Sequence, residues 1–103
     1  MTDLLNPDNC RTLVFYEKRP ATVLELIKAT GFPVTSAYRY TKRLSDAGLL
    51  IVVDKVADKG GYMMPVYASN FSKVTYRITK TPRRRTRIIE LKDGTILEEG
   101  FTL

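Results

Sequence analysis

The chain predicts an α+β fold in which three short helices precede a set of strands. Helix punctuation is dense before residue 50. Asn6-Pro7, Thr22 with Glu25, and Gly31 each mark a helix end, with apolar residues recurring at three- and four-residue spacing between them. From Leu49 onward β-branched and aromatic residues take over, and Lys73 to Thr79 alternates apolar with polar. The totals suit one domain with a modest core: 103 residues, 44% hydrophobic and 27% charged.

The first helix is expected over Asn6 to Lys18. Asn6 can cap it, Pro7 suits its first turn, and Asp8 favours the positive end of the helix dipole. Cys10, Leu13 and Val14, with Tyr16 or the stem of Glu17, form its expected inward side. Proline disfavours helix in the residue before it, so Arg19-Pro20 ends the element. The second helix opens at a capping box, Thr22-Val23-Leu24-Glu25. Thr22 can accept from the Glu25 N–H, and Glu25 can reach back to the Thr22 N–H. Val23, Leu26, Ile27 and Thr30 should face inward, with Leu24 near the edge, and Gly31 supplies the C-terminal cap. Only Phe32 and Pro33 then precede the third helix. So short a connection makes two helices cross steeply, as a helix-turn-helix unit.

The third helix, beginning at Val34, has two unlike sides. Ala37, Thr41 and Leu44 share one face, with Tyr40 and Ala47 at its edge. Thr35, Arg39, Lys42 and Asp46 share the other, flanked by Ser36, Tyr38 and Arg43. Hydroxyls, a phenol and cations near a helix N-terminus can donate to phosphates and base edges in a major groove. A mixed polar face that only meets water is the plainer alternative. Gly48 can end the helix in the left-handed conformation.

A helix, the Thr22–Glu25 capping box, a glycine turn and then Ser36-Ala37-Tyr38-Arg39 through Lys42-Arg43-Leu44 to Ala47-Gly48-Leu49-Leu50 resemble the winged helix-turn-helix regulators of the ArsR and MarR type. Thr35 to Arg39 is similar to small archaeal members in particular. The resemblance spans about Asn9 to Ile78 and is strongest from Thr22 to Leu50. It implies a winged helix-turn-helix fold with three N-terminal helices and a β-hairpin wing. The metal-binding cysteine and histidine positions of that family are missing, so metal sensing is not implied. Pro33 stands where many members have a capping serine, which removes one phosphate contact.

Leu49 to Val53 is a continuous apolar run and is expected to be a buried strand. Asp54 to Pro65 carries lysines and Gly60-Gly61 and is expected to be a loop, and Val66 to Ser69 resumes strand. Behind a DNA-reading helix that hairpin would be a wing. The resemblance implies that its tip reaches the phosphate backbone or minor groove, through Lys55 and Lys59. Met63 and Met64 can instead pack on the body or face a partner. Lys73 to Thr79 should be a strand with Val74, Tyr76 and Ile78 on one side. The run from Lys80 to Arg87 is proline-broken and basic, and is expected to form an exposed turn. There Arg83, Arg84 and Arg85 can neutralise phosphates without reading sequence. Asp93-Gly94 signals a two-residue hairpin between Ile88–Leu91 and Ile96–Leu97, while the pattern leaves open whether Ile88 or Ile89 is buried. The expected organisation is a winged domain over 1–80 and, over 81–103, a basic turn plus an additional C-terminal β-hairpin of the same domain.

The net charge of +6 points to a polyanionic partner. With no histidine and one cysteine, there is no zinc-finger pattern and no Ser-His or Cys-His nucleophile pair; no metal, cofactor or enzymatic activity is expected. Cys10 reads as a structural thiol before a redox sensor. No apolar run approaches a membrane span and no signal peptide opens the chain, so a cytoplasmic location is expected. The expected function is a sequence-specific regulator of transcription, simplest as a repressor, that binds double-stranded DNA as a homodimer. Its DNA-binding residues would be Thr35, Ser36, Tyr38, Arg39, Lys42, Arg43, Lys55, Lys59, Arg83, Arg84 and Arg85. A winged-helix module that binds protein and has no DNA role is the alternative, and RNA binding through the arginine run is a third. Target site, effector, sign of regulation and dimer surface are not encoded in any motif.

Overall fold

The computed structural model describes residues 5–80 and 83–100, with the backbone alone for Arg83. Three helices come first: α1 (Pro7–Lys18), α2 (Val23–Thr30) and α3 (Val34–Asp46). Five strands follow: β1 (Leu50–Ala57), β2 (Met63–Ser69), β3 (Phe71–Lys80), β4 (Arg83–Leu91) and β5 (Ile96–Gly100). β1 and β2 form an antiparallel hairpin, and β3, β4 and β5 form a separate antiparallel sheet in that order. This α+β arrangement is compatible with a winged helix.

Local chemistry sets the helix ends. The Asn6 side chain accepts from the Asn9 N–H at α1. Both halves of the Thr22–Glu25 capping box form at α2, and Gly31 closes that helix at φ +75° with its N–H on the Ile27 carbonyl. Gly48 ends the turn after α3 at φ +84°. The core beneath them gathers Leu13 and Tyr16 of α1, Leu26 of α2, and Ala37 and Leu44 of α3 with Leu49, Leu50, Ile89 and Leu91. Ala37 is wholly buried, as a small residue at a close helix crossing must be. Within this apolar packing the Tyr16 and Thr41 hydroxyls satisfy each other at 3.1 Å. Burial pushes the Tyr16 phenol up to about 12, against the lowering effect of the Thr41 hydrogen bond.

Hydrogen bonds tie the helices to the strands, among them the Ser69 hydroxyl of β2 donating to Glu17 of α1. Pro20 makes the α1–α2 link extended, and Ala21 exchanges backbone hydrogen bonds with Tyr67 of β2, at 3.0 and 2.7 Å. Asn70, the single residue between the two sheets, binds three ways. Its N–H donates to the Leu49 carbonyl, its carbonyl accepts from the Lys92 N–H, and its side-chain amide donates to the Gly48 carbonyl at 3.0 Å. This corner seats the β4–β5 turn against the end of α3.

Several local expectations are corrected. In α1 the inward side is Asn9, Thr12, Leu13 and Tyr16, with Cys10 half-buried and packed against the core as expected; Val14 is 54% exposed, because α1 presents only a narrow stripe to α3 and β2. Leu49 to Val53 is not a buried strand. Leu49 and Leu50 enter the core, but Ile51, Val52 and Val53 are exposed, since the two-stranded hairpin leaves the body there and nothing described covers it. The expected loop from Asp54 to Pro65 shrinks to a turn over residues 58–62, because β1 runs to Ala57 and β2 starts at Met63. Asp58 builds that turn by accepting from the Gly60 and Tyr62 N–H groups. Val74 packs against the core as expected, whereas Tyr76 and Ile78 stay exposed.

The basic run is strand, with only residues 81–82 between β3 and β4, outside the described residues. Arg87 is buried at 5% exposure, 2.6 Å from Glu99 of β5 and over the Tyr76 ring. The final hairpin has three loop residues, not two. The Leu91 N–H donates to the Thr95 carbonyl, and Gly94 takes φ +93° while Asp93 does not take a positive φ. A two-residue turn of type I′ needs positive φ at both positions, and here Gly94 takes it without Asp93. Instead the Asp93 carboxylate accepts from the Thr95 N–H, which lowers its pKa from the ordinary value.

Candidate nucleic-acid interface

α3 divides as its residue pattern demands. Ala37, Thr41 and Leu44 are buried, while Thr35, Tyr38, Arg39 and Lys42 are exposed and Ser36 and Arg43 half-buried. These six polar residues therefore share one helix, with Arg39, Thr35 and Lys42 central on its outward side. Asp46 is the only acidic residue of α3 and lies at its C-terminal end, leaving the first three turns cationic. Pro33 occupies the N-cap position with no side-chain cap bond. The positive end of the helix dipole thus lies beside Thr35, Ser36 and Arg39, an arrangement favourable to an anion.

A mixed stack steadies this end of the helix. The Arg39 guanidinium lies 5.4 Å from the centre of the Tyr40 ring, Tyr40 meets Phe32 edge to face, and Arg11 of α1 lies 4.7 Å from the Phe32 ring centre. The Tyr40 hydroxyl donates to Asp8 at 3.2 Å, which ties α3 to α1. Arg11, which no motif singled out, is brought next to the α2–α3 turn by this stacking. On the other edge of α3, Tyr38, Lys42, Asp46 and Tyr67 of β2 wall a cleft of about 310 Å³.

Lys55 and Lys59 are exposed but differently placed. Lys55 lies within β1, opposite Pro65, and Lys59 lies in the turn built by Asp58. Asp54 and Asp58 stand beside them, so the hairpin from Leu50 to Ser69 carries no net charge. It is apolar instead, with Ile51, Val52, Val53, Val56, Tyr62 and Met63 exposed.

Positive charge concentrates in β3 and β4: between Lys73 and Arg87 stand seven lysines and arginines and no acidic residue. Arg84 is exposed and Arg85 half-buried, while the Arg83 side chain lies outside the described residues. Arg77, which sits in the alternating stretch, and Lys80, which opens the basic run, are both exposed strand residues of β3. β3 starts at the Asn70 corner, so at roughly 3.3 Å per residue its far end stands about 30 Å away. The molecule is correspondingly long, 57 × 29 × 21 Å. The structure does not merge the arginine run with α3. β5 pairs with β4 and places Glu98 and Glu99 in one groove with Arg84 and Arg85.

Among the described residues there is no cluster of three metal-ligating side chains, and no helix is long and apolar enough to cross a membrane. Comparison with protein-family models and with curated proteins returned no match.

Proposed function

We propose that the chain is a winged helix-turn-helix regulator that binds duplex DNA sequence-selectively, with α3 in the major groove and the β1–β2 hairpin as its wing. One observation carries this reading. The second helix of a tightly turned helix pair leaves Thr35, Tyr38, Arg39 and Lys42 exposed and Ser36 and Arg43 half-exposed, while its opposite side is sealed in the core. An α-helix fits the major groove, and arginine is the commonest reader of guanine there. Arg39 is the base-reading candidate; Thr35, Ser36 and Tyr38 lie near bases or phosphates, and Lys42 and Arg43 grip the backbone. A single such domain covers few base pairs, which favours a homodimer on two half-sites, with repression by occlusion the simplest mode.

The test is selection from a random duplex pool, followed by titration of variants across a salt series. Arg39→Ala should relax preference at one base by about 1–3 kcal/mol, and Lys42→Ala should weaken all duplexes alike and lower the salt slope by about one. Parental behaviour from both variants would remove α3 from the groove.

The exposed apolar residues of the hairpin, which carries no net charge, favour a second reading, a module that binds protein and has no DNA role. It requires that Met63 and its exposed neighbours carry affinity while the cations are dispensable. Salt-resistant capture of a partner by the protein, with no retention on DNA resin, would select it.

A further inference from the structure

We propose that the cleft between α1 and the end of α2 is a binding site for a small apolar carboxylate, an alkyl chain of medium length that carries one acid group. The site lies apart from the α3 surface, and the proposal stands or falls without the duplex-binding reading. The cleft has a volume of about 400 Å³; Cys10, Arg11, Val14, Phe15 and Lys18 of α1 line it, and it reaches Thr30 of α2. Sites for small molecules have volumes of about 300–1,000 Å³, mostly apolar walls and a few polar groups that fix orientation. The stripe on α1 supplies these in order. Arg11, Val14 and Lys18 follow at three- and four-residue steps and so share one side of the helix. The two cations are therefore about 10.5 Å apart along the axis, with the valine between them.

Hydrogen bonds already made inside the chain narrow the chemistry of the ligand. The Thr30 hydroxyl donates to the Leu26 carbonyl at 2.7 Å and accepts from the Phe32 N–H, and the Cys10 thiol donates to the Leu5 carbonyl at 3.3 Å. Both side chains are committed to the backbone. The cations are not: among the described residues no carboxylate pairs with Arg11 or Lys18, and no acidic side chain lines the cleft. Arg11 is also held in place, its guanidinium 4.7 Å from the centre of the Phe32 ring. A stacked guanidinium keeps its N–H donors in its own plane for a carboxylate, and a donor positioned in advance lowers the entropy cost of binding. Val14, 54% exposed, is the apolar surface that the ligand's chain would cover. An inorganic anion would leave Val14 wet, and a neutral hydrocarbon would leave the cations unpaired. An apolar carboxylate satisfies both.

The probes are octanoate and octanol, which share an apolar chain and differ in the acid group. Titration calorimetry on the full chain without DNA measures affinity, methyl NMR locates the ligand, and thermal melts verify that each variant folds. Octanoate should bind at one site and shift the Val14 methyl signals. Those of Val34, 58% exposed on α3, and Met63, 60% exposed on the β1–β2 hairpin, should stay in place. Octanol should bind the parent about tenfold more weakly, because it cannot form the charge-assisted hydrogen bonds. Arg11→Gln combined with Lys18→Gln should bring octanoate down to the level of octanol. Val14→Glu gives the two cations an internal partner and should abolish octanoate binding. Equal affinity of the parent for the two probes would overturn the recognition of a carboxylate and the proposal with it. Equal shifts at Val14, Val34 and Met63 would mean adsorption to any exposed apolar residue and would overturn the site. Absence of octanoate binding would overturn the proposal outright, and none of these results bears on duplex binding by α3.

Discussion

The buried Tyr16–Thr41 pair makes stability depend on alkaline pH in a way that one substitution exposes. The Tyr16 side chain is 1% exposed and its hydroxyl lies 3.1 Å from that of Thr41. Burial raises its pKa from 10.0 to about 12. An unfolded tyrosine ionises near 10, so between pH 10 and 12 the unfolded chain releases a proton that the folded chain keeps. Fewer protons bound in the unfolded state mean that unfolding free energy falls as pH rises through this window. The stabilisation by the neutral phenol is complete below pH 10. The loss is about 1.4 kcal/mol at pH 11 and approaches roughly 2.7 kcal/mol above pH 12. Tyr16→Phe removes the titration together with the hydrogen bond, at a cost of about 1 kcal/mol at neutral pH. Urea unfolding followed by circular dichroism from pH 8 to 12 should therefore show the two stability curves crossing between about pH 10 and 11, with the variant more stable beyond. Parallel curves throughout would refute the assignment of the raised pKa to this phenol.

Three further substitutions test the sheet and its attachment. Glu99→Ala leaves the buried Arg87 guanidinium without its 2.6 Å carboxylate and should destabilise by about 2–3 kcal/mol, read as a lower urea midpoint. Asn70→Ala deletes the side-chain bond to the Gly48 carbonyl; it should cost about 1 kcal/mol and speed amide exchange at Lys92, the neighbour that shares this corner. At Gly94 an added Cβ meets no atom within 4 Å, so Gly94→Ala tests backbone strain alone at φ +93° and should lower stability by about 1 kcal/mol.

Helix ends, the helix-turn-helix spacing and the two faces of α3 were legible because their causes are local. The Thr22 hydroxyl finds the Glu25 N–H three residues on, Gly31 adopts its positive φ within its own turn, and the 3.6-residue period sorts Ala37 from Arg39 whatever surrounds them. The strands were legible as strands and far less so as a sheet. Alternation reveals the buried side only where one side is buried, and β1 beyond Leu50 and β3 beyond Val74 project from the body. Val53 and Tyr76 therefore read as core residues and lie exposed. Arg87 read as one more solvated cation of the run, because Glu99 lies twelve positions away and becomes its partner only through β4–β5 pairing.

The sequence by itself determined three helices, their caps, the composition of the α3 outer side and the concentration of cations between Lys73 and Arg87. Each follows from residues within a turn or two of one another. Tertiary structure alone decided that β3 pairs with β4 in a sheet separate from the β1–β2 hairpin, that Ala21 joins β2, and that Ile89, not Ile88, enters the core. The last choice has a definite physical origin. A one-residue slip exchanges the faces of a strand, and the register of β4 and β5 is set by a three-residue turn in which Gly94 alone takes positive φ. Asn70 then anchors Lys92 at the end of that turn, and the slip is closed off by hydrogen bonds between residues far apart in the chain.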